Sequence, residues 1–350
     1  MRAAVLHGRD DLRIESVPIP VPGPGEVLLR NQVALTCGTD AKVLRRGYHA
    51  RMITPPAIFG HEVSGVVEEV GPGIDGLVPG TPVALANSAP CGDCPECVRG
   101  RASLCDDLLF WNGAYAEFSL IPARIVRTNL LPHGPGMTHR AAALLEPLAC
   151  AVRGIEACRI EPGQTVAVVG AGPLGLMLIA LARARGARVL AAGRNKTRLA
   201  RAAALGAVAT VSALDDLDLA AALRRHTEGE RGPEVVIEAA GTLESAEAAF
   251  RAVRKGGLVN LFAGCPAEAR ISLDLSKLHY EEIGVTASFH HSPASVRTAF
   301  ALIAEGTIAP EPFVTGEAGL EETPAILRQS GDENRGPKTA ILPWGVEPPE

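Results

Sequence analysis

Over its first 150 residues the chain alternates apolar and polar positions in short runs broken by glycine and proline. That spacing predicts strands over Ala3–Leu6, Glu26–Ala34, Val63–Val70, Pro82–Leu85 and Ala116–Leu120. Breaks fall at Pro18–Gly25 and Gly71–Gly80, so the pattern predicts an irregular, barrel-like domain. Helical spacing is nearly missing until Thr138–Glu156, where Pro147 starts or interrupts a helix rather than sitting inside one. From Gln164 the period changes. Largely apolar runs over Thr165–Val169, Arg188–Ala192, Ala207–Val211, Val235–Ala239 and Gly257–Phe262 alternate with helices over Leu174–Arg185, Lys196–Leu205, Leu219–His226 and Leu243–Val253. Such alternation predicts an α/β domain whose parallel sheet is covered on both faces.

Ile283–Ser288 continues this series as a strand. Ser292 and Pro293 then supply the cap and first position of a helix to Glu305. The remaining residues return to short strands and turns, which suggests that the chain end rejoins the first domain. The boundaries expected are 1–150 with 290–350 for that domain and 151–289 for the parallel-sheet domain.

Composition narrows the class. A chain of 350 residues accommodates two domains, and 47% hydrophobic with 21% charged residues is ordinary for a globular protein. The net charge of -5, without long basic blocks, argues against nucleic acid or an anionic membrane as partner. The longest apolar run, Val166–Ala182, contains three glycines and a proline, which fits strand, turn and helix better than a membrane span. The first thirty residues lack an export signal, so a reducing, cytoplasmic location is expected. Eight cysteines in such a compartment are metal ligands more readily than disulfides.

The run Gly170-Ala-Gly172-Pro173-Leu174-Gly175 follows an apolar strand and opens a helix. This is the setting in which glycines bring backbone close to a dinucleotide pyrophosphate at a helix N-terminus. The next strand ends in Gly193-Arg194-Asn195-Lys196-Thr197-Arg198, with no acid to meet ribose hydroxyls. Gly193 leaves room, Arg194 can hold a phosphate bidentately, and Lys196 and Arg198 add charge. Basic residues oppose the dipole at a helix start, and a bound phosphate would explain them. NADP is therefore expected in preference to NAD.

Cys91, Cys94, Cys97 and Cys105 place four thiols within fifteen residues of a Gly/Pro-rich loop at about 88–108. Four soft ligands at this spacing point to a closed structural zinc site, with an iron–sulfur cluster or inert thiols as the alternatives. Cys37, His61, Glu62 and Glu146 are dispersed, and each alone says little.

Gly60-His61-Glu62-x2-Gly65-x5-Gly71, together with Cys37-Gly-Thr39-Asp40, the four-cysteine lobe and the glycine turn, resembles the zinc-containing medium-chain alcohol dehydrogenases over nearly the whole chain. The resemblance implies a GroES-like catalytic domain interrupted by a Rossmann domain, with the active site in the cleft between them. It implies two zinc ions per chain, one structural and one catalytic. The catalytic ion would be held by Cys37, His61 and Glu146, with Glu62 ligating in turn, and Asp40 would orient His61. The Glu146-Pro-Leu-Ala form is similar to the polyol, sorbitol and threonine dehydrogenase branch. Thr39 would touch the substrate hydroxyl and begin a proton relay. Lys42 stands where some members have histidine, so the relay would end at Lys42 or His49. Phe262 and Ala263 match the strand end that faces the nicotinamide carboxamide.

The expected reaction is hydride transfer between a secondary alcohol of a polyol, cyclitol or sugar derivative and NADP, in a homodimer or homotetramer joined near Ile283–Ser288. An L-threonine-like amino alcohol with NAD is the runner-up. A non-catalytic scaffold of the same fold is a distant third. Tyr48, Phe59 and Trp111 are candidates for lining the substrate pocket, and His290 and His291 could reach a hydroxylated substrate or lie at a surface or interface.

Overall fold

The computed structural model describes residues 1–49, 51–329 and 336–345. The chain folds as two units, Met1–Ala149 with Ser292–Glu350, and Cys150–His291. Residues 330–335 and 346–350 of the C-terminal segment expected to rejoin the first domain lie outside the described residues.

The first unit is built on strand Val27–Leu35, whose two edges and bulges receive several partners. Val63–Val70, Phe118–Ile121 and Lys338–Leu342 all pair with it antiparallel. Pro82–Leu85 and Leu130–Pro132 extend the sheet on one side, and Val314–Gly319 extends it on the other. The C-terminal strand Lys338–Leu342 thus pairs with a strand laid down three hundred residues earlier, at Ala340 against Leu35. A second, three-stranded sheet is formed by Arg2–Gly8, Asp11–Ser16 and Ala57–Ile58. Between them lies a core that includes Leu29, Leu44, Phe59, Val63, Leu85, Tyr115, Ile121 and Ile341, each buried. These two many-turned sheets around one core form the irregular, barrel-like domain that the short alternating runs predict.

Several short helices of this unit are not among those the hydrophobic period predicts, Pro95–Val98 and Thr323–Arg328 included. Gly38–Arg46 is one, and its signals are caps rather than periodicity. The Cys37 side chain accepts the Thr39 amide, Arg45 and Arg46 close the last turn, and Gly47 ends it in the left-handed region. Ala123–Asn129 is another. The expected helix Thr138–Glu156 is in fact two, His139–Ala142 and Leu145–Cys158, and Pro147 sits in the first turn of the latter, where a missing amide costs nothing.

The second unit has six parallel strands. Numbered within the unit as Thr165–Val169, Arg188–Gly193, Ala209–Ser212, Val235–Glu238, Leu258–Leu261 and Gly284–Ala287, their order is 3-2-1-4-5-6. This is the doubly wound Rossmann order, whose switch point lies between the first and fourth strands. Gly170 follows the first strand at that point, with φ +116. Gly175 has no alternative: a Cβ there would stand 1.7 Å from the Gly170 carbonyl oxygen. No described helix is long and apolar enough to cross a membrane.

Candidate active site

Cys37 ends the approach from strand Val27–Leu35 and caps helix Gly38–Arg46, so its Sγ is fixed by the Thr39 amide at 3.4 Å. His61 and Glu62 precede strand Val63–Val70, the partner of Val27–Leu35. Pairing of these two strands brings the segments together. One donor atom each from Cys37, His61 and Glu62 lie within 4.8 Å of one another. Donors around a tetrahedral zinc stand about 3.3–3.8 Å apart, so small side-chain adjustments suffice to close the set.

Behind the set runs a buried chain of hydrogen bonds. His61 Nδ1 lies 2.8 Å from Asp40 Oδ1, and Asp40 Oδ2 accepts the Tyr115 hydroxyl at 2.6 Å. With Nδ1 turned to a carboxylate, Nε2 is the ring nitrogen left for a metal. Burial alone would lower the His61 pKa, but the Asp40 and Cys37 charges outweigh it and hold the value well above the usual one. Tyr115 is fully buried and meets Phe59 edge-on at 6.2 Å. Its ring passes so close to Gly60 that a Cβ there would lie 2.7 Å away, and Gly60 has φ +89. The glycine before His61 therefore makes room for the tyrosine that braces Asp40.

Glu62 carries a partner that the sequence does not suggest. Lys338 Nζ reaches both of its oxygens, at 2.6 and 2.5 Å, and also donates to the Thr36 carbonyl at 3.2 Å. The one ammonium thus ties the segment before Cys37 to the residue after His61. Burial would lower the Lys338 pKa, but Glu62, Cys37 and Glu146 together raise it. Glu146 is buried in the first turn of Leu145–Cys158, 5% exposed. The carboxylate that the structure brings beside both Cys37 and His61 is that of Glu62.

Thr39 is half-buried, while Lys42, one turn further along the same helix, is exposed. His49 is half-buried and its Nδ1 accepts the amides of Arg51 and Met52, at 3.2 and 3.1 Å. Burial and the nearby Arg46 lower its pKa, so Nε2 carries the proton of a neutral ring. Phe59 is a core residue, not a pocket wall. Trp111 is 6% exposed, donates to the Leu120 carbonyl at 2.9 Å and lines a hollow of about 450 Å³ with Met52 and Phe110; Tyr48 is 61% exposed.

In the cysteine lobe, Sγ separations are 3.4 Å for Cys91–Cys105 and 3.9 Å for both Cys91–Cys97 and Cys94–Cys105. Four sulfurs at about 2.3 Å from one zinc would be about 3.8 Å apart, so the four thiols already fit that ion. All four are free, and amides of Cys91 and Cys94 point at sulfurs of the set.

In the second unit, Gly193 ends its strand against the glycine turn, where an added Cβ would be 3.2 Å from that of Ala171. Arg194 is exposed beyond it. Asn195 caps the next helix by accepting the Arg198 amide at 2.8 Å, and Lys196 stands 3.7 Å from Asp215. The amides of Phe262 and Ala263 both donate to the Glu238 carbonyl, so this turn offers a carboxamide its carbonyls rather than these N–H groups. The Phe262 ring packs on Gly154. His290 lies in the left-handed region with φ 58 and its ring is 4.0 Å from that of His291, which is 2% exposed.

Residues 23–130 match the alcohol dehydrogenase GroES-like domain, and residues 173–305 match the zinc-binding dehydrogenase domain. The chain is 29% identical to sorbitol dehydrogenase of Bacillus subtilis over 337 residues, covering 94% of this chain and 93% of that one. It is 31% identical to D-xylulose reductase A of Aspergillus niger over 347 residues, covering 96% and 95%. A crystal structure of a zinc-binding dehydrogenase from Sinorhizobium meliloti bound to NADP superimposes with a TM-score of 0.90 at 29% identity, covering 98% of this chain and 99% of that one.

Proposed function

This chain belongs to the zinc-dependent medium-chain alcohol and polyol dehydrogenases, and from that premise we propose that it transfers hydride between a secondary alcohol of a polyol, cyclitol or sugar derivative and NADP. The observation that carries the reading is the convergence of Cys37, His61 and Glu62 in front of the Asp40–Tyr115 brace. Zinc held there supplies Lewis acidity toward the substrate oxygen, and the nicotinamide supplies the hydride acceptor. The chain's own residues do the rest. Cys37 and His61 hold the ion, with a carboxylate from Glu62 or Glu146 completing the set. Asp40 fixes the His61 ring. Thr39 takes the hydroxyl proton at its Oγ1 and passes it outward, toward Lys42 or His49.

The NADP preference rests on Arg194 beside Gly193, with Lys196 and Arg198 on the following helix. The NADP found with the Sinorhizobium meliloti relative supports it. The polyol reading is supported by the names of the relatives, sorbitol dehydrogenase and D-xylulose reductase. A second zinc in the four-cysteine lobe would serve structure only. Assembly as a homodimer or homotetramer would use the sheet edge Gly284–Ala287, where Val285 is 48% exposed. An oxidation screen of polyols, cyclitols, sugars and L-threonine, each with NADP and NAD, tests the reading. Turnover of a polyol or sugar with a higher kcat/KM for NADP is expected. A clear NAD preference removes the cofactor assignment, and L-threonine as best substrate removes the substrate class.

A further inference from the structure

The glycine turn of the second unit lies at the carboxyl ends of its strands. At the opposite, amino ends is a hollow of about 670 Å³, a size suited to a small molecule. Its wall carries Arg188, Arg225, Arg231 and Arg254 against only two carboxylates, Glu228 and Glu234. Those charges do not cancel locally. Glu234 is spent: one oxygen accepts Arg254 at 2.5 Å and the other accepts the Thr165 amide at 2.8 Å. Arg225 is drawn to Asp216, at 2.8 Å. Among the described residues Arg188 meets a neutral partner alone, the His226 carbonyl at 2.7 Å. Arg231 makes no ion pair among the described residues.

Among the described residues neither Arg188 nor Arg231 has an ion-pair partner, and with Glu228 the one unpaired carboxylate on the wall the hollow keeps an excess of positive charge, on a chain whose net charge is -5. A bound anion would balance that excess of positive charge. Arg231 is also held in place. Its neighbours Glu230 and Gly232 both have positive φ, 54 and 102, and a Cβ on Gly232 would lie 2.2 Å from the Ala252 carbonyl oxygen. The loop that carries Arg231 thus runs hard against the helix end beside it, which fixes its backbone at the rim of the hollow.

We propose that this hollow is a second anion site, binding the phosphate group of a small phosphorylated molecule through Arg188 and Arg231, with Arg254 lending charge. The guanidinium fork matches phosphate oxygens in pairs. The site is separate from the dinucleotide turn, being at the other edge of the same sheet.

The test uses the zinc-loaded enzyme saturated with nicotinamide cofactor, so that phosphate cannot occupy the cofactor's own site. Inorganic phosphate is titrated by calorimetry at ionic strength held constant with chloride. One saturable phosphate per chain is expected, weakened about tenfold or more in Arg188→Gln and in Arg231→Gln, both of which keep wild-type kcat/KM for the alcohol in phosphate-free buffer. Absence of a saturable phosphate, or a phosphate whose affinity both variants retain, overturns the proposal.

Discussion

Lys338 donates to both carboxylate oxygens of Glu62 although the two residues are 276 positions apart, and their side chains are 2% and 0% exposed. A buried pair of this kind is costly to break from one side, because the surviving charge keeps its desolvation penalty and loses its partner. Lys338→Met should lower unfolding free energy by about 3–5 kcal/mol, and Lys338→Arg by much less. Urea denaturation of the metal-free chains measures both. A loss below about 1 kcal/mol for the methionine variant would mean that Glu62 is not charged in the folded state.

In the proposed site Asp40 would act on the metal through His61. Asp40→Asn keeps the shape but removes the carboxylate from Nδ1, and metal affinity at the Cys37–His61 site should fall about ten- to a hundredfold. Competition with a chromogenic chelator would show this as one early-released zinc, while the zinc of the cysteine lobe keeps its wild-type release. Unchanged release of both ions contradicts the brace.

Arg194 is the residue on which the proposed NADP preference rests. In Arg194→Ala, kcat/KM for NADP should drop about ten- to a hundredfold, as expected for loss of a charge-assisted contact to phosphate. The value for NAD should stay within about twofold, since no 2′-phosphate is present to miss the guanidinium. Equal losses with both cofactors would assign Arg194 to the fold.

His139 is set against Ser64, with Nδ1 2.8 Å from Oγ; that hydroxyl spends its proton on the Val83 carbonyl, so the ring is the donor. Burial and the charges of His133 and Arg30 bring the His139 pKa down to about 4. The unfolded chain, near 6.5, then takes the proton more readily than the folded one. The stability this provides is complete above about pH 6.5 and is lost as pH falls toward 4. His139→Asn should therefore lose less stability than wild type between pH 7 and pH 5, measured as urea midpoints. Parallel losses would contradict the shift.

The features legible in the sequence are those whose residues are local. Cys91 to Cys105 span fifteen positions, and Gly170 to Gly175 sit inside one strand–turn–helix unit, so spacing alone marks them as candidate sites. Cys37 and His61 need a family resemblance, because only the pairing of Val27–Leu35 with Val63–Val70 joins them. Lys338 has no signal beyond the rarity of lysine in an arginine-rich chain; its partner is settled by the pairing of its strand with Val27–Leu35 at Ala340 and Leu35. Phe59 misleads for a related reason. Its position next to Gly60-His61 suggests the substrate, whereas the chain turns it inward onto Tyr115. The helix Gly38–Arg46 escapes the hydrophobic period because it is short, though Cys37, Asp40 and Gly47 mark its ends.

Zinc content set beside turnover tests the central claim most directly. The wild-type chain should hold two zinc ions and reduce NADP with a polyol or sugar alcohol. Cys37→Ser should hold one, stay folded, and lose turnover to the limit of detection. A Cys37→Ser chain that keeps its turnover, or a wild-type chain fully active with zinc in the cysteine lobe alone, would contradict the account.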